Sequence, residues 1–307
     1  MESVNKPPGR RSRFYSSEAR VAYICLIPAF LGLIFLTYLP LVGVLGISLT
    51  NWTGLKSPEF VGFDNYVQLF TADPYLMDSI LATIYFAVLS VVGSMIYSLF
   101  IAMLLNRKIP ARGFFRAVFY VPYVLPAVAI YVGWSWLYEA NFGFFNFLLS
   151  EAGLRKVLFI ADSSYVVPSL SLISVWLAGN LIVIFLAGLQ NVPSVYHEAA
   201  EMDGANGWNR FRHITVPCMT PIIFYNLLMS LIANLQVVTP ALSLTNGGPG
   251  NSSRFMTYLM YDQAFVNYKL GYASATTFII FAILAVFTAV LFKTSHRWIF
   301  NEGGDDK

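Results

Sequence analysis

The sequence predicts an all-α protein, a polytopic membrane bundle of six transmembrane helices. Three observations lead there. Apolar residues make up 57% of the chain and charged residues 11%, against about 25% charged in soluble domains. The charges are also segregated: no Asp, Glu, Lys or Arg occurs in 21–55, 79–106, 117–138, 163–197, 213–253 or 270–292. Each run holds enough apolar residues to cross a hydrocarbon core of about 30 Å, which takes roughly 20 residues in a helix. Finally, the basic residues alternate between the connectors. Fourteen fall on the N-terminal arm, 107–116, 210–212 and the C-terminal end from Lys293 onward, whereas only Lys56, Arg155, Lys156, Arg254 and Lys269 fall on the other connectors. Positive charge is retained on the cytoplasmic side of a membrane. Both termini and the connector around 198–217 are therefore expected in the cytoplasm of a multi-pass membrane protein.

Taken in order, residues 1–20 form a polar, basic cytoplasmic arm that meets lipid headgroups rather than nucleic acid. Residues 21–293 form the transmembrane domain, and 294–307 a cytoplasmic tail. The first span, 21–48, is too long for a secretory signal and no small-residue cleavage site closes it. The connector 49–78 carries an amphipathic piece around Tyr66–Phe70. The second span, 79–105, leads through a short basic connector into the third, 117–138. That span holds Pro122 and Pro126, which are tolerated where neighbouring helices or water satisfy the freed carbonyls. The connector 139–164 contains a short interfacial helix near Phe144–Glu151. The fourth span is 165–189, the fifth 218–242 and the sixth 271–293. Between the last two, Leu244-Thr245-Asn246-Gly247-Gly248-Pro249-Gly250 reads as a tight external turn. It lacks the Gly-Lys-Ser/Thr ending of a nucleotide loop.

The fourth and fifth spans are separated by a loop, 190–217, whose centre is a polar island: Glu198-Ala199-Ala200-Glu201-Met202-Asp203-Gly204, then Arg210 and Arg212, ending at Ile214-Thr215-Val216-Pro217. Charge there keeps it out of hydrocarbon. Ser194 is a candidate helix N-cap, and Gly204 falls where a left-handed C-terminal cap belongs. A second short helix from about Gly207 places Trp208 and Phe211 on one side. The expected form is a helix–turn–helix on the membrane face, with alanines that let another surface come close.

This spacing resembles the EAA loop of binding-protein-dependent ABC importer permeases. Val216 stands where leucine is more usual, and His197 where tyrosine is. The phrases Phe60-Val61-Gly62-Phe63-Asp64-Asn65-Tyr66 and Leu244–Gly250 resemble the sugar-importing branch and its larger-type subunit, so the resemblance runs from about residue 22 to 293. It implies a type I importer permease fold in a bacterial inner membrane. It also implies a coupling helix in which Glu198 anchors, Ala199 and Ala200 allow close approach, and Asp203 and Gly204 form the turn onto a cytoplasmic ATPase. The implied partners are a second homologous permease, an ATPase dimer and an extracytoplasmic sugar-binding protein. ATP and Mg would belong to the ATPase, and no cofactor is expected in this chain.

No paired carboxylates, nucleophile–base spacing, HExxH, Cys cluster or Walker A sequence is present, so no catalytic residue or metal site is expected and the chain is read as a non-enzyme. The informative polar residues are uncharged and lie inside spans. Asn226, Ser230 and Asn234 recur at i, i+4, i+8 on one helical face. Amides in hydrocarbon are costly unless paired, and amides match the donors and acceptors of a sugar. By the same resemblance, Ser230 and Asn234 align with substrate-contacting positions of maltose-type permeases. Tyr131 and Trp134 could stack on sugar C–H faces, and Asn180 adds an amide. The competing reading of the amide stripe is helix–helix glue, and that of Trp136 and Tyr138 an interfacial aromatic belt. The function expected is a permease subunit of an ATP-driven sugar importer. The alternatives are a glycerol-phosphate-type importer, whose substrate would want a fixed cation that no span supplies, and an ion-coupled secondary transporter, which usually needs an intramembrane carboxylate or a repeat.

Overall fold

The computed structural model describes residues 17–300, with side chains from Val21 onward. The basic arm expected over 1–20 lies outside the described residues as far as residue 16, as do residues 301–307 of the expected tail. The described chain is helical, and β structure among these residues is limited to an isolated bridge between Thr50 and Phe60.

The helices are α1 (Ser17–Leu33) running through a wide turn at Ile34–Tyr38 into α2 (Leu39–Ser48), α3 (Asp64–Ala72), α4 (Leu76–Asn106), α5 (Arg112–Val124), α6 (Ala127–Leu137), α7 (Phe144–Glu151), α8 (Val166–Trp176), α9 (Gly179–Asn191), α10 (Ser194–Met202), α11 (Gly207–Arg210), α12 (Val216–Leu235), α13 (Met256–Tyr261) and α14 (Leu270–Ser295). Four continuous stretches are long and apolar enough to cross a membrane: Val21–Ser48, Leu76–Asn106, Gly207–Leu235 and Leu270–Ser295. Two bent pairs, α5 with α6 at 99° and α8 with α9 at 49°, bring the number to six if each pair is one span. Helices α3 and α7 cover the residues expected for short amphipathic helices in the connectors.

The bends fall within the runs expected as the third and fourth spans, 117–138 and 165–189. Pro122 sits within α5, but Leu125 is extended at φ −70°, ψ 149°. The residue before a proline is pushed out of the α region, and Pro126 offers no N–H to continue the ladder. The fifth span also differs from the expected 218–242. It begins at Gly207, because α11 continues through Phe211–Thr215 into α12, and it ends at Leu235. The β-branched run Val237-Val238-Thr239 follows the break at Gln236, and Pro240 opens the next helical turn. The segment expected as a simple external turn folds back into the bundle. Asn246 and Gly247 take left-handed conformations, φ 49° and 81°, and the residues on either side, Ala241 and Phe255, are fully buried.

Helix α4 is the post against which the rest packs. Its inward face is made of small residues: Ala82, Thr83, Ala87, Ser90, Ser94, Ser98 and Ala102 are all buried. Such a face lets neighbouring backbones approach closely. At Gly93 an added Cβ would lie 2.6 Å from Val175 Cγ2 of α8. The hydroxyls on this face also bind broken backbone. Ser98 Oγ donates to Ala178 O, at the α8–α9 break, at 3.2 Å. Thr83 Oγ1 accepts from Met256 N, at the start of α13, at 2.8 Å. Around the post lie three apolar clusters. One joins Phe86, Tyr138, Leu170 and Phe255; one joins Leu105, Phe185 and Met219; one joins Leu69, Leu259 and Tyr272. By contrast, no residue of 21–47 is buried.

Two substitutions on α4 should separate partnered from unpartnered hydroxyls. Thr83→Val leaves the Met256 N–H without an acceptor and should destabilise by about 1–3 kcal/mol, whereas Ser90→Ala removes a buried hydroxyl that has no partner and should be neutral or stabilising. Thermal melts of the two variants in one detergent check this; equal losses would contradict it.

Candidate functional site

A cavity of 480 Å³ opens where both helix breaks meet α12. Its wall takes Tyr123 and Leu125 from the α5–α6 break, Leu177, Ala178 and Asn180 from the α8–α9 break, Ser94 from the middle of α4, and Tyr225, Asn226, Ser230, Ala233 and Asn234 from α12. The periodicity of α12 explains its contribution, since 226, 230, 233, 234 and 237 fall on one face of a 3.6-residue helix. Close packing holds the wall together. A Cβ on Gly179 would come 2.7 Å from Phe119 O, and one on Gly188 would come 2.4 Å from Ile222 Cδ1. These two glycines let α9 lie directly on α5 and α12.

The polar groups in the wall are uncharged. Asn234 Nδ2 donates to Ser230 O at 2.8 Å and lies 3.3 Å from Ser230 Oγ. Asn226 is 0% exposed, yet neither atom of its carboxamide has a hydrogen-bond partner. A primary amide can give two hydrogen bonds and accept two, and leaving a buried polar group unmade costs about 1–3 kcal/mol. Asn226 thus holds unused hydrogen-bonding capacity closed off just behind the wall of a cavity. No Asp, Glu, Lys or Arg lines the space.

Four of the six residues expected along the substrate path come together here: Asn226, Ser230, Asn234 and Asn180. Tyr131 and Trp134 do not join them. Tyr131 is 4% exposed within the apolar core. Trp134 stacks on Phe145 at 5.7 Å and meets Trp176 and Tyr138 edge-on or tilted. Tyr138 donates its hydroxyl to Ser169 O at 2.9 Å and stacks on Phe159, so it is a core residue and not part of an interfacial belt. Trp136 is 72% exposed, as a belt residue would be. The aromatic rings that do reach the cavity, Tyr123 and Tyr225, were missed. Tyr225 precedes Asn226 but points about 100° around the helix from the polar stripe, so the stripe's spacing does not reveal it. Tyr123 depends on the bend at Leu125, which periodicity does not show.

The second candidate region is the loop 190–217. Helix α10 exposes its whole length; none of its residues is buried. Ser194 is the first helical residue, Pro193 holds the cap position, and no side chain caps the helix, a shift of one residue from the expectation. The far end closes as expected. Gly204 takes φ +75°, Ala205 N donates to Ala200 O at 2.8 Å, and Gly204 N donates to Glu201 O at 3.0 Å, the paired bonds of a Schellman cap. Arg210 bonds Glu201 across the turn. Asn206 Oδ1 accepts from Asn209 N at 2.8 Å and caps α11, and the Trp208 and Phe211 rings lie 5.6 Å apart. Glu198, Ala199, Asp203 and Gly204 are exposed and Ala200 is half-buried. Met202, 90% exposed, and Trp208, 66% exposed, make the tip apolar. The turn is thus rigid, while its outward side is free of contacts from the described residues.

Comparison with known proteins agrees with this architecture. Residues 94–300 match the model of the family described as "Binding-protein-dependent transport system inner membrane component". The chain is 34% identical over 301 residues to the "Probable ABC transporter permease protein YesP" of Bacillus subtilis, with 97% of both chains covered. It is 30% identical over 287 residues to the "Trehalose/maltose transport system permease protein MalF" of Thermococcus litoralis, covering 92% of this chain and 96% of that one. In fold it is similar to a chain of a bacterial alginate ABC transporter crystallised with an alginate pentasaccharide-bound periplasmic protein, at a TM-score of 0.79 and 21% identity, covering 91% of this chain and 95% of that one.

If the Asn226 amide is unspent in the resting protein, Asn226→Leu should keep or raise the melting temperature in detergent, because it replaces an unpaired polar group by an apolar one of similar size. A fall of several degrees would mean that the amide has a partner within the fold.

Proposed function

The chain belongs to the family of binding-protein-dependent transport system inner membrane components, and from that membership we propose that it is the permease subunit of an ATP-driven sugar importer. In this reading it forms half of the translocation path. It pairs with a second homologous permease, receives substrate from an extracytoplasmic binding protein, and docks an ATPase dimer through the loop around Glu198. The termini and that loop face the cytoplasm, as the distribution of basic residues argues.

The observation that carries the substrate class is the chemistry of the cavity. It offers amides and hydroxyls from Asn180, Asn226, Ser230 and Asn234, the rings of Tyr123 and Tyr225, and no charge. Neutral polyols with apolar C–H faces fit such a wall. The relative's printed association with trehalose and maltose points the same way. A phosphate-bearing substrate fits less well, since the wall supplies no cation, and an ion-coupled mechanism lacks a carboxylate there.

The geometry also suggests how force is passed. The cavity is built at the breaks of two bent helix pairs and on the face of α12. Helix α12 is continuous through Gly207–Leu235 with the second helix of the exposed loop. A push on α10, delivered through its Schellman turn and the Glu201–Arg210 pair, moves the lower end of that same rod. Ala199 and Ala200 allow a partner surface to come close, and Glu198 offers it an unpaired charge. Alternating access then amounts to rocking these elements about a central site.

Two experiments test the reading in the reconstituted complex. No atom lies within 4 Å of a Cβ built on Gly204, so Gly204→Val is not crowded; its cost is left-handed backbone alone, roughly 1–3 kcal/mol. It should sharply reduce uptake and substrate-stimulated ATPase activity while the subunits still assemble; unchanged uptake removes the loop from coupling. Asn234→Ala and Ser230→Ala should each reduce sugar uptake about tenfold, on the scale of one lost hydrogen bond in a water-poor site, again with assembly intact. Wild-type uptake by both would take them out of the path.

A further inference from the structure

A pair of arginines on α5 lies outside both regions described above. Arg112 and Arg116 are one turn apart on the same face of the helix. With the Gln190 amide turned so that its oxygen faces them, as the donors around it require, that oxygen accepts from Arg112 Nη2 and Arg116 Nη2, each at 2.9 Å. Two guanidinium groups therefore converge on one neutral oxygen at the end of α9. Their Nε atoms are shut off from solvent and have no partner. Among the described residues neither arginine makes an ion pair; the pairs found are Arg210 with Glu201 and Arg254 with Asp262.

Like charges held this close repel, and a neutral amide does not cancel them. Arginine forks are suited to a tetrahedral oxyanion, which two guanidinium groups can grip through several charge-assisted bonds. The surroundings indicate where such an anion comes from. On the same helix Phe115 flanks the cations, while Phe114, Val118 and Val121 are exposed on the far side, an apolar surface fit for acyl chains around the helix from the pair. A Cβ on Gly113 would meet nothing within 4 Å, so the space next to the pair is open. Arg107 and Lys108 follow on the preceding connector, so the pair sits at the basic end of the bundle, where anionic headgroups gather.

We propose that Arg112, Arg116 and Gln190 form a binding site for the phosphate of an anionic phospholipid headgroup. The site needs only that this end of the bundle meets a lipid surface, so it stands apart from the transport reading. Its consequence reaches that reading all the same. Gln190 lies four residues before the start of α10, and a bound phosphate would lock α5 to α9 at the base of the exposed loop.

The test is lipid retention by the purified full-length chain, measured by native mass spectrometry from mixed micelles containing equal phosphatidylglycerol and phosphatidylcholine. The wild type should retain phosphatidylglycerol about tenfold over phosphatidylcholine, on the scale expected for two arginines at an anionic surface. R112Q/R116Q should abolish the preference, and R107Q/K108Q should keep it. Q190E, which cancels one of the pair's two charges from within without loss of volume, should weaken the preference severalfold and yet melt no lower than the wild type. Inorganic phosphate identifies the source. A lipid site keeps phosphatidylglycerol in millimolar phosphate, whereas displacement with no phosphatidylglycerol preference in its absence would show a site for the free ion and overturn the lipid assignment. Retention by R112Q/R116Q or Q190E at the wild-type level would overturn the site itself. So would unchanged lipid retention by R112Q/R116Q together with loss of ATPase co-purification, which would assign the pair to a protein carboxylate.

Discussion

Broken helices inside a membrane leave backbone groups that lipid cannot satisfy, and this structure depends on how α4 answers that problem. Thr83 takes the N–H that opens α13, and Ser98 donates a second hydrogen bond to the Ala178 carbonyl, which opens α9 at the α8–α9 break. Irregular backbone is tolerated at membrane depth only where it is buried in protein or lines a wet cavity. Both conditions hold here. The small face of α4 buries one side of the breaks, and the cavity occupies the other. Without that face, the bends that shape the cavity would be unpaid backbone in hydrocarbon.

The same arrangement joins a tightly packed part to an element that extends beyond it. The α4 post, α8 and α9 are locked by close glycine contacts and small side chains. The rod Gly207–Leu235 packs on them but extends past them, and its lower end is the exposed turn capped at Gly204. A polar stripe on the upper half of the rod forms one wall of the cavity. One element thus reaches both the site where a partner would push and the site where a substrate would bind, with no intermediate linkage.

Much of this was legible in the sequence. Charge-free runs marked the spans, and Asp203-Gly204 marked the turn. The i, i+4, i+8 amide stripe placed Asn226, Ser230 and Asn234 on the face that lines the cavity. What periodicity could not show were the breaks. A run such as 117–138 is equally apolar whether straight or bent by 99°, and only Pro126 hinted at the interruption. Tyr131 and Trp134 share α6 with Ala127 and Ile130, which line the cavity, but their own rings pack into the apolar core with Tyr138, a burial that periodicity does not show. The serines of α4 went unread because small residues in a span carry no signal until their neighbours are known.

The central claim is that the cavity at the two breaks opens to opposite sides of the membrane in turn. Ala233, which lines it, is a direct reporter as Ala233→Cys, in a chain with Cys25 and Cys218 replaced, assembled with its partners in sealed vesicles. Labelling by a membrane-impermeant thiol reagent is measured from each side. The account predicts reaction from the cytoplasmic side without nucleotide and from the outer side when ATP is held bound. Reaction from one side under both conditions, or from neither, would contradict it.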